Sequence, residues 1–196
     1  MGKSKIAKAE SHDRIVRLAA ARFREAGIEG IGVAELMKDA GLTHGGFYRH
    51  FSSREELVAE AVERALQDGG QAVAAIANSK LGRSALLAAL VDAYLSATHR
   101  DSLATSCAVT TLAGDVARSN ERARTAYTGQ VDAYLDVLTR LIVSDKQKSR
   151  RAKAVTALAT MVGAVSMARA VNDEKLSMEI LKSAAAELKA QLVQAR

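Results

Sequence analysis

Gly41-Leu42-Thr43-His44-Gly45-Gly46-Phe47-Tyr48-Arg49-His50-Phe51-Ser52-Ser53-Arg54-Glu55-Glu56 is the stretch on which the reading of this chain turns. It packs a helix stop, a cap, a glycine pair and a new helix start into sixteen residues. Leu42, Phe47 and Phe51 recur at the spacing of a buried face, while Thr43, His44, Tyr48, Arg49 and His50 point elsewhere. A helix this short falls well below the ~12–15 residues that an isolated helix needs, so Phe47 and Phe51 must anchor it to its neighbours. The groups left outside are a hydroxyl, two imidazoles, a phenol and a guanidinium. These suit phosphate oxygens and base edges. The layout predicts a helix-turn-helix that reads DNA.

Upstream, Ser11 stands where an N-cap would start a first helix, with Asp13 in the first turn where the helix dipole favours it. Ile15, Leu18, Ala19, Phe23 and Ala26 then follow one face. Gly27 stops that helix, and Ile28 falls where a Schellman cap would fold it back on Phe23. A second helix begins near Gly32 and presents Val33, Leu36, Met37 and Ala40 at the spacing of a buried stripe. Gly41 ends it in the same way, bringing Leu42 back to Met37, and Thr43 is the cap of a third helix over roughly 44–50. Ser53 and Glu56 form a capping box that starts a long fourth helix through Leu57, Ala61 and Leu66, with Gly69-Gly70 a place for a kink or a frayed end.

Residues 78–82 read as a connector, followed by five helices near 83–100, 103–118, 121–143, 147–171 and 174–194. Asp101-Ser102, Ser119-Asn120, Ser144-Asp145 and Asn172-Asp173 mark the breaks. With no proline in 196 residues and apolar residues at three- and four-residue intervals, the expected class is all-α.

Apolar residues are 48% of the chain and charged ones 26%, a soluble globular balance. No run of about 18 apolar residues predicts a membrane span. Lys3, Lys5 and Lys8 have no apolar stretch behind them, unlike a secretory signal. The single cysteine, Cys107, excludes an intrachain disulfide framework and a cysteine-rich zinc site, so the expected compartment is the cytoplasm. The net charge is +6, with ten Lys/Arg against six Asp/Glu in residues 1–54 and eighteen against sixteen in the rest. Positive charge concentrates where a polyanion would be met.

The first three helices, the Gly41–Phe51 turn and the Ser53 capping box resemble the TetR/AcrR family of bacterial transcriptional regulators. In that family a motif similar to Thr43-His44-Gly45-Gly46-Phe47-Tyr48-Arg49-His50-Phe51, followed by Ser53-Arg54-Glu55-Glu56-Leu57, carries the recognition helix and the start of the fourth helix. The likeness is specific over about residues 11–60 and weak beyond. It implies about nine helices, divided into a DNA-binding domain over 9–68 and a helical inducer-binding and dimerisation domain over 69–196. Gly32 stands where the family usually has Ser or Thr, and His44 stands where lysine is frequent.

On this reading Tyr48 and His50 match phosphate-contacting positions, Arg54 lies in the first turn of the fourth helix where an anion is also favoured, and Thr43 donates to phosphate. His44 and Arg49 are the base readers, arginine being able to grip guanine O6 and N7 together. Gly45 and Gly46 let the backbone approach DNA closely; the alternative is that a first helical turn tolerates them. Lys3, Lys5 and Lys8 form either an arm over the adjacent groove or a solvated tail. His12 and His99 read as surface or internally satisfied histidines.

One short recognition helix makes too few contacts for specific binding, so the resemblance implies a homodimer on a palindromic site. Ala157, Met161, Ala164 and Ala168, with Ile180, Ala184 and Leu188, are the predicted dimer face; intrachain core is the alternative. Tyr94, Cys107, Thr110, Thr111, Tyr127 and Tyr134 combine bulk with polar handles and are the candidate inducer contacts. Cys107 opens a helical stretch, a setting that lowers a thiol pKa, and some members of the family sense oxidants or electrophiles through cysteine; the alternative is an inert buried thiol.

The function implied is a repressor that binds double-stranded DNA and is released by a small molecule or an oxidant, with no cofactor. HExxH, paired CxxC, G-x-S-x-G and P-loop motifs are all lacking, which argues against an enzyme. A helical protein-interaction module would explain the last helices but not Gly41–Arg54.

Overall fold

A computed structural model describes residues 2–142 and 147–193. The expected break at Ser144-Asp145 and the side chain of Lys3 lie outside what is described. Among the described residues the chain forms ten α-helices and two 3-10 helices, and no strands. They are α1 (Gly2–Ala26), α2 (Val33–Asp39), a 3-10 helix at His44–Arg49, α3 (Arg54–Ala77), α4 (Arg83–Tyr94) and α5 (Ala97–Asp101). A second 3-10 helix at Leu103–Thr105 precedes α6 (Ala108–Thr111), α7 (Ala113–Val116), α8 (Glu121–Leu141), α9 (Gln147–Ala170) and α10 (Glu174–Val193).

Helix ends follow the glycines. Gly27 adopts φ +79° and its N–H donates to the Phe23 carbonyl at 2.8 Å. This is the simpler left-handed cap, where the sequence predicted a Schellman motif. Gly41, at φ +71°, does close a Schellman motif: its N–H reaches Lys38 O at 2.9 Å and that of Leu42 reaches Met37 O at 2.8 Å. Ser11 is not an N-cap. The run Lys5-Ile6-Ala7-Lys8-Ala9-Glu10 holds no helix breaker, so α1 extends back to Gly2.

Two predicted long helices break where hydroxyl side chains compete for the backbone. Ser96 Oγ accepts the His99 N–H at 3.1 Å and separates α5 from α4. The 103–118 stretch becomes three short pieces, with Ser106 Oγ donating to Leu103 O and Thr111 Oγ1 to Cys107 O. Conversely, α3 runs unbroken through Gly69-Gly70.

The chain divides into two compact units, Met1–Asp68 with Leu103–Thr128, and Gly69–Ser102 with Gly129–Arg196. In this grouping 103–128 joins the amino-terminal unit although it is distant from it in sequence. That unit buries Ile15, Ala19, Phe23, Leu36, Met37, Phe47, Phe51 and Leu57. Arg24 is enclosed with them, donating to Ala65 O at 3.2 Å and to Asp68 at 3.5 Å; burial pulls its pKa below the ordinary value despite the carboxylate. Keeping one partner a backbone carbonyl lets a buried cation stay hydrogen-bonded.

The second unit packs α10 against α9 and α4. Arg100 joins Asp101, Glu174 and the Ser177 hydroxyl, while Arg169 donates to the carbonyls of His99 and Arg100. Ala157, Met161, Ala164, Ala168 and Leu188 are buried inside this single chain. They are core, and the predicted dimer face needs correcting: the small residues permit close packing of α9 within the chain itself, which removes them from reach of a partner. Ile180 and Ala184 are half-buried.

Candidate nucleic-acid interface

Phe47 and Phe51 are each only 2% exposed, with their rings stacked 5.3 Å apart. The six residues between Thr43 and His50 wind as a 3-10 helix, tighter than the α-helix expected, and pack on α2. Thr43 enters in extended conformation and its carbonyl accepts the Gly46 N–H at 2.9 Å. Its hydroxyl makes no capping bond and stays exposed. Ser53 Oγ accepts the Glu56 N–H at 3.2 Å, as in a capping box. The Glu56 carboxylate instead takes the N–H and hydroxyl of Ser52, each at 2.6 Å, and these bonds hold its pKa below the ordinary value.

The segment brings most of the predicted contact residues together. Thr43, His44, Gly45, Tyr48 and Arg49 are exposed side by side, Tyr48 at 71%, and Gly46 and His50 are half-buried. The Tyr48 ring rests edge-on against Phe47 at 5.3 Å, which aims its hydroxyl outward. A Cβ on Gly45 would meet nothing within 4 Å, and one on Gly46 would make ordinary contacts at 3.6 and 3.7 Å. Neither glycine has a positive φ. Nothing among the described residues therefore demands glycine at either position.

Arg54 behaves differently. Its Nη1 meets Glu29 Oε1 at 2.8 Å and its Nη2 donates to Ile28 O at 2.6 Å. Both terminal nitrogens are engaged with the turn after α1, so the guanidinium braces that turn.

His12, expected to be a surface or internally satisfied histidine, is internally satisfied and has a positioning role that the sequence did not reveal. Its ring stacks on Phe51 at 4.5 Å, its Nε2 lies 2.7 Å from Glu60 Oε2 on α3, and it sits 6.1 Å from the His50 ring. It ties α1, α3 and the end of the recognition segment together. The available signal was position: His12 shares the helical face of Ile15, Ala19 and Phe23. Among the described residues, buried His50 Nδ1 has no hydrogen-bond partner. Burial, together with His12, Lys8 and Arg49, holds the His50 pKa below the usual histidine value.

Residues 15–61 match the family described as bacterial regulatory proteins, tetR family. Over 169 residues the chain is 28% identical to the uncharacterized HTH-type transcriptional regulator Rv0196 of Mycobacterium tuberculosis, covering 82% of this chain and 85% of that one. A TetR transcriptional regulator from Chloroflexus aurantiacus superposes with a TM-score of 0.82 at 25% identity, covering 96% of each chain. The reduced form of Escherichia coli NemR shares the fold, with a TM-score of 0.78 at 19% identity over 92% of this chain and 96% of that one. The chain carries the DNA-binding domain of the tetR family of bacterial regulatory proteins over residues 15–61. It is a DNA-binding transcriptional regulator and not an enzyme. No helix among the described residues is long and apolar enough to cross a membrane.

The candidate inducer contacts fall in separate units. Cys107, Thr110, Thr111 and Tyr127 belong to the first, where Tyr127 donates to Val109 O at 2.8 Å and Cys107 is the buried N-cap of the four-residue α6. Tyr94 and Tyr134 belong to the second, Tyr94 with its ring 4.6 Å from that of His99. Tyr134 lines an open groove of about 370 Å³ with Gly70, Val73, Ala74, Gln130 and Val137.

Because the folded protein depresses the His50 pKa, the stability linked to its neutral form is complete above the unfolded value of about 6.5 and is lost as pH falls through the folded one. Burial depresses His99 with the same sign. Thermal unfolding followed from about pH 7.5 to about pH 5 should show a falling Tm, and His50→Gln should shrink that fall without removing it. An unchanged pH profile in the variant would show that His50 carries none of it.

Proposed function

We propose that the protein is a homodimeric repressor that seats the Thr43–His50 segment of each protomer in successive major grooves of a palindromic operator. One observation carries the reading: two buried phenylalanines fix an exposed, donor-rich segment whose glycines are not required by the chain's own packing. Glycine there admits the DNA backbone and base edges to close range. Thr43, Tyr48 and His50 hold phosphates; His44 and Arg49 read bases. Arg54 supports the site from behind through Ile28 and Glu29. Such a regulator works in the cytoplasm, beside the chromosome.

A second protomer has a surface to meet. On α9, Val155 is 48% and Met167 55% exposed, with Ala159 and Gly163 on the turns between, and Leu176 of α10 is 43% exposed. These residues, with half-buried Ile180 and Ala184, are the apolar face that remains once the core positions are set aside. Pairing it would double the recognition segments and suit two half-sites about one turn apart.

Release follows if a small molecule or an oxidant favours a protomer arrangement in which the two segments no longer match the operator. The shift is limited by its difference in affinity for the two states. The groove at Tyr134 suits a small molecule with an apolar body, Gln130 and Arg140 supplying polar ends.

Gel-shift titration against DNA from the promoter next to the gene tests the core reading. Arg49→Ala should cost about 1–3 kcal/mol of operator affinity and relax discrimination at one base position. Tyr48→Ala should weaken all sequences alike; operator binding unchanged in both variants would exclude this segment. Sedimentation should show the parent as a dimer and Val155→Asp/Met167→Asp as a monomer, and a monomeric parent would sink the dimer reading. A compound that raises Tm through the groove should lose its effect in Ala74→Trp; persistence of the full rise would place the ligand elsewhere.

A further inference from the structure

Nine residues of α1 precede Ser11, and those at 5–10 are all exposed. Burial begins with Ser11 and His12 and is complete at Ile15. Residues 5–10 therefore add little apolar burial to the fold; they are helical because a helix already nucleated propagates through good helix formers.

Its charge is arranged. Lys5, Lys8 and His12 follow one another at three- and four-residue steps and so share a helical face, with Glu10 on the opposite side. His12 fixes where that face looks, since its ring lies on Phe51 and 6.1 Å from His50. Lys8, one turn before His12, is close enough to disfavour protonation of His50, as does Arg49 from the recognition segment. The carboxylates on this side are occupied: Glu60 by His12, Asp13 by Arg17 and Arg64. A line of positive charge thus runs from Arg49 past His50 to Lys8, and Lys5 continues it a turn further out.

We propose that the first turns of α1 are a second DNA-contacting element, in which Lys5 and Lys8 neutralise backbone phosphates flanking the groove that the recognition segment enters. The inference rests on the DNA-binding reading above and extends its footprint. A helix rises about 1.5 Å per residue, so Lys5 stands roughly 10 Å along the axis from His12. DNA carries one phosphate per about 3.4 Å of axis on each strand, so that span passes successive phosphates. The contact is electrostatic and independent of sequence; it adds affinity and on-rate but no base discrimination.

The test uses the full-length protein and DNA affinity measured across a salt series. Each phosphate contact contributes about 0.9 to the slope of log K against log salt. Lys5→Gln/Lys8→Gln should lower that slope by roughly two contacts per protomer and weaken operator and non-operator DNA by the same factor, leaving their ratio unchanged. An unaltered slope beside a parent that binds operator would overturn the element alone. A parent without salt-dependent DNA binding would overturn the DNA-binding reading as well. Ala7→Gly/Ala9→Gly keeps both lysines while loosening the helix; it should reproduce part of the loss, whereas full parental affinity would show that helical placement of the lysines is irrelevant. Both pairs replace exposed side chains, and an unchanged Tm verifies the fold.

Discussion

The burial of Phe47 and Phe51 is the constraint on which the rest of the DNA-binding unit depends. The recognition segment is a six-residue 3-10 helix with two glycines, and its own hydrogen bonds could not hold it. Two stacked rings at 2% exposure supply what local structure lacks. Once they are in place, Tyr48 and Arg49 between them are turned outward, while His50 stays half-buried. The display of Tyr48 and Arg49 is thus a consequence of core packing, and the edge-on contact of Tyr48 with Phe47 couples the outer ring to the inner one.

Around that anchor, polar groups are used for positioning more than for stability. Arg54, Glu29 and the Ile28 carbonyl fasten the first turn of α3 to the turn after α1. His12 links Glu60 to Phe51. Surface ion pairs of this kind contribute about 0–1 kcal/mol each, so their value here lies in orientation. The buried Arg24 differs, because it has lost its water; a carbonyl and a carboxylate take its two terminal nitrogens, while its Nε has no partner among the described residues.

Reading α-helical class and the helix-turn-helix from the chain succeeded where the signals are local and strong. Gly41 needed a left-handed conformation and has it; the apolar spacing of Ile15, Leu36, Phe47 and Phe51 marked core positions, and they are core. Legibility failed where two local signals compete or where a side chain's partner is distant in sequence. Ser11 looked like a cap, but the strong helix formers before it outweighed one hydroxyl. Arg54 looked free to meet phosphate, yet Glu29 and Ile28, twenty-five and twenty-six residues away, take both ends of its guanidinium. The stripe at Ala157, Met161, Ala164 and Ala168 had the composition of an interface, and composition is the same whether the partner is another chain or the neighbouring helix.

The sequence by itself determined the helical class, the positions of the two left-handed glycines and the core residues Phe47 and Phe51 that anchor the helix-turn-helix. These follow from backbone sterics and from periodicity, which act within a few residues. Only tertiary structure decided that the recognition segment winds as a 3-10 helix and that 103–128 packs with the amino-terminal unit. It alone decided that His12 stands behind His50, and which faces of α9 and α10 are spent on the core. Those outcomes depend on which surfaces meet across tens of residues, and a pattern of apolar spacing states that a face is buried without stating against what.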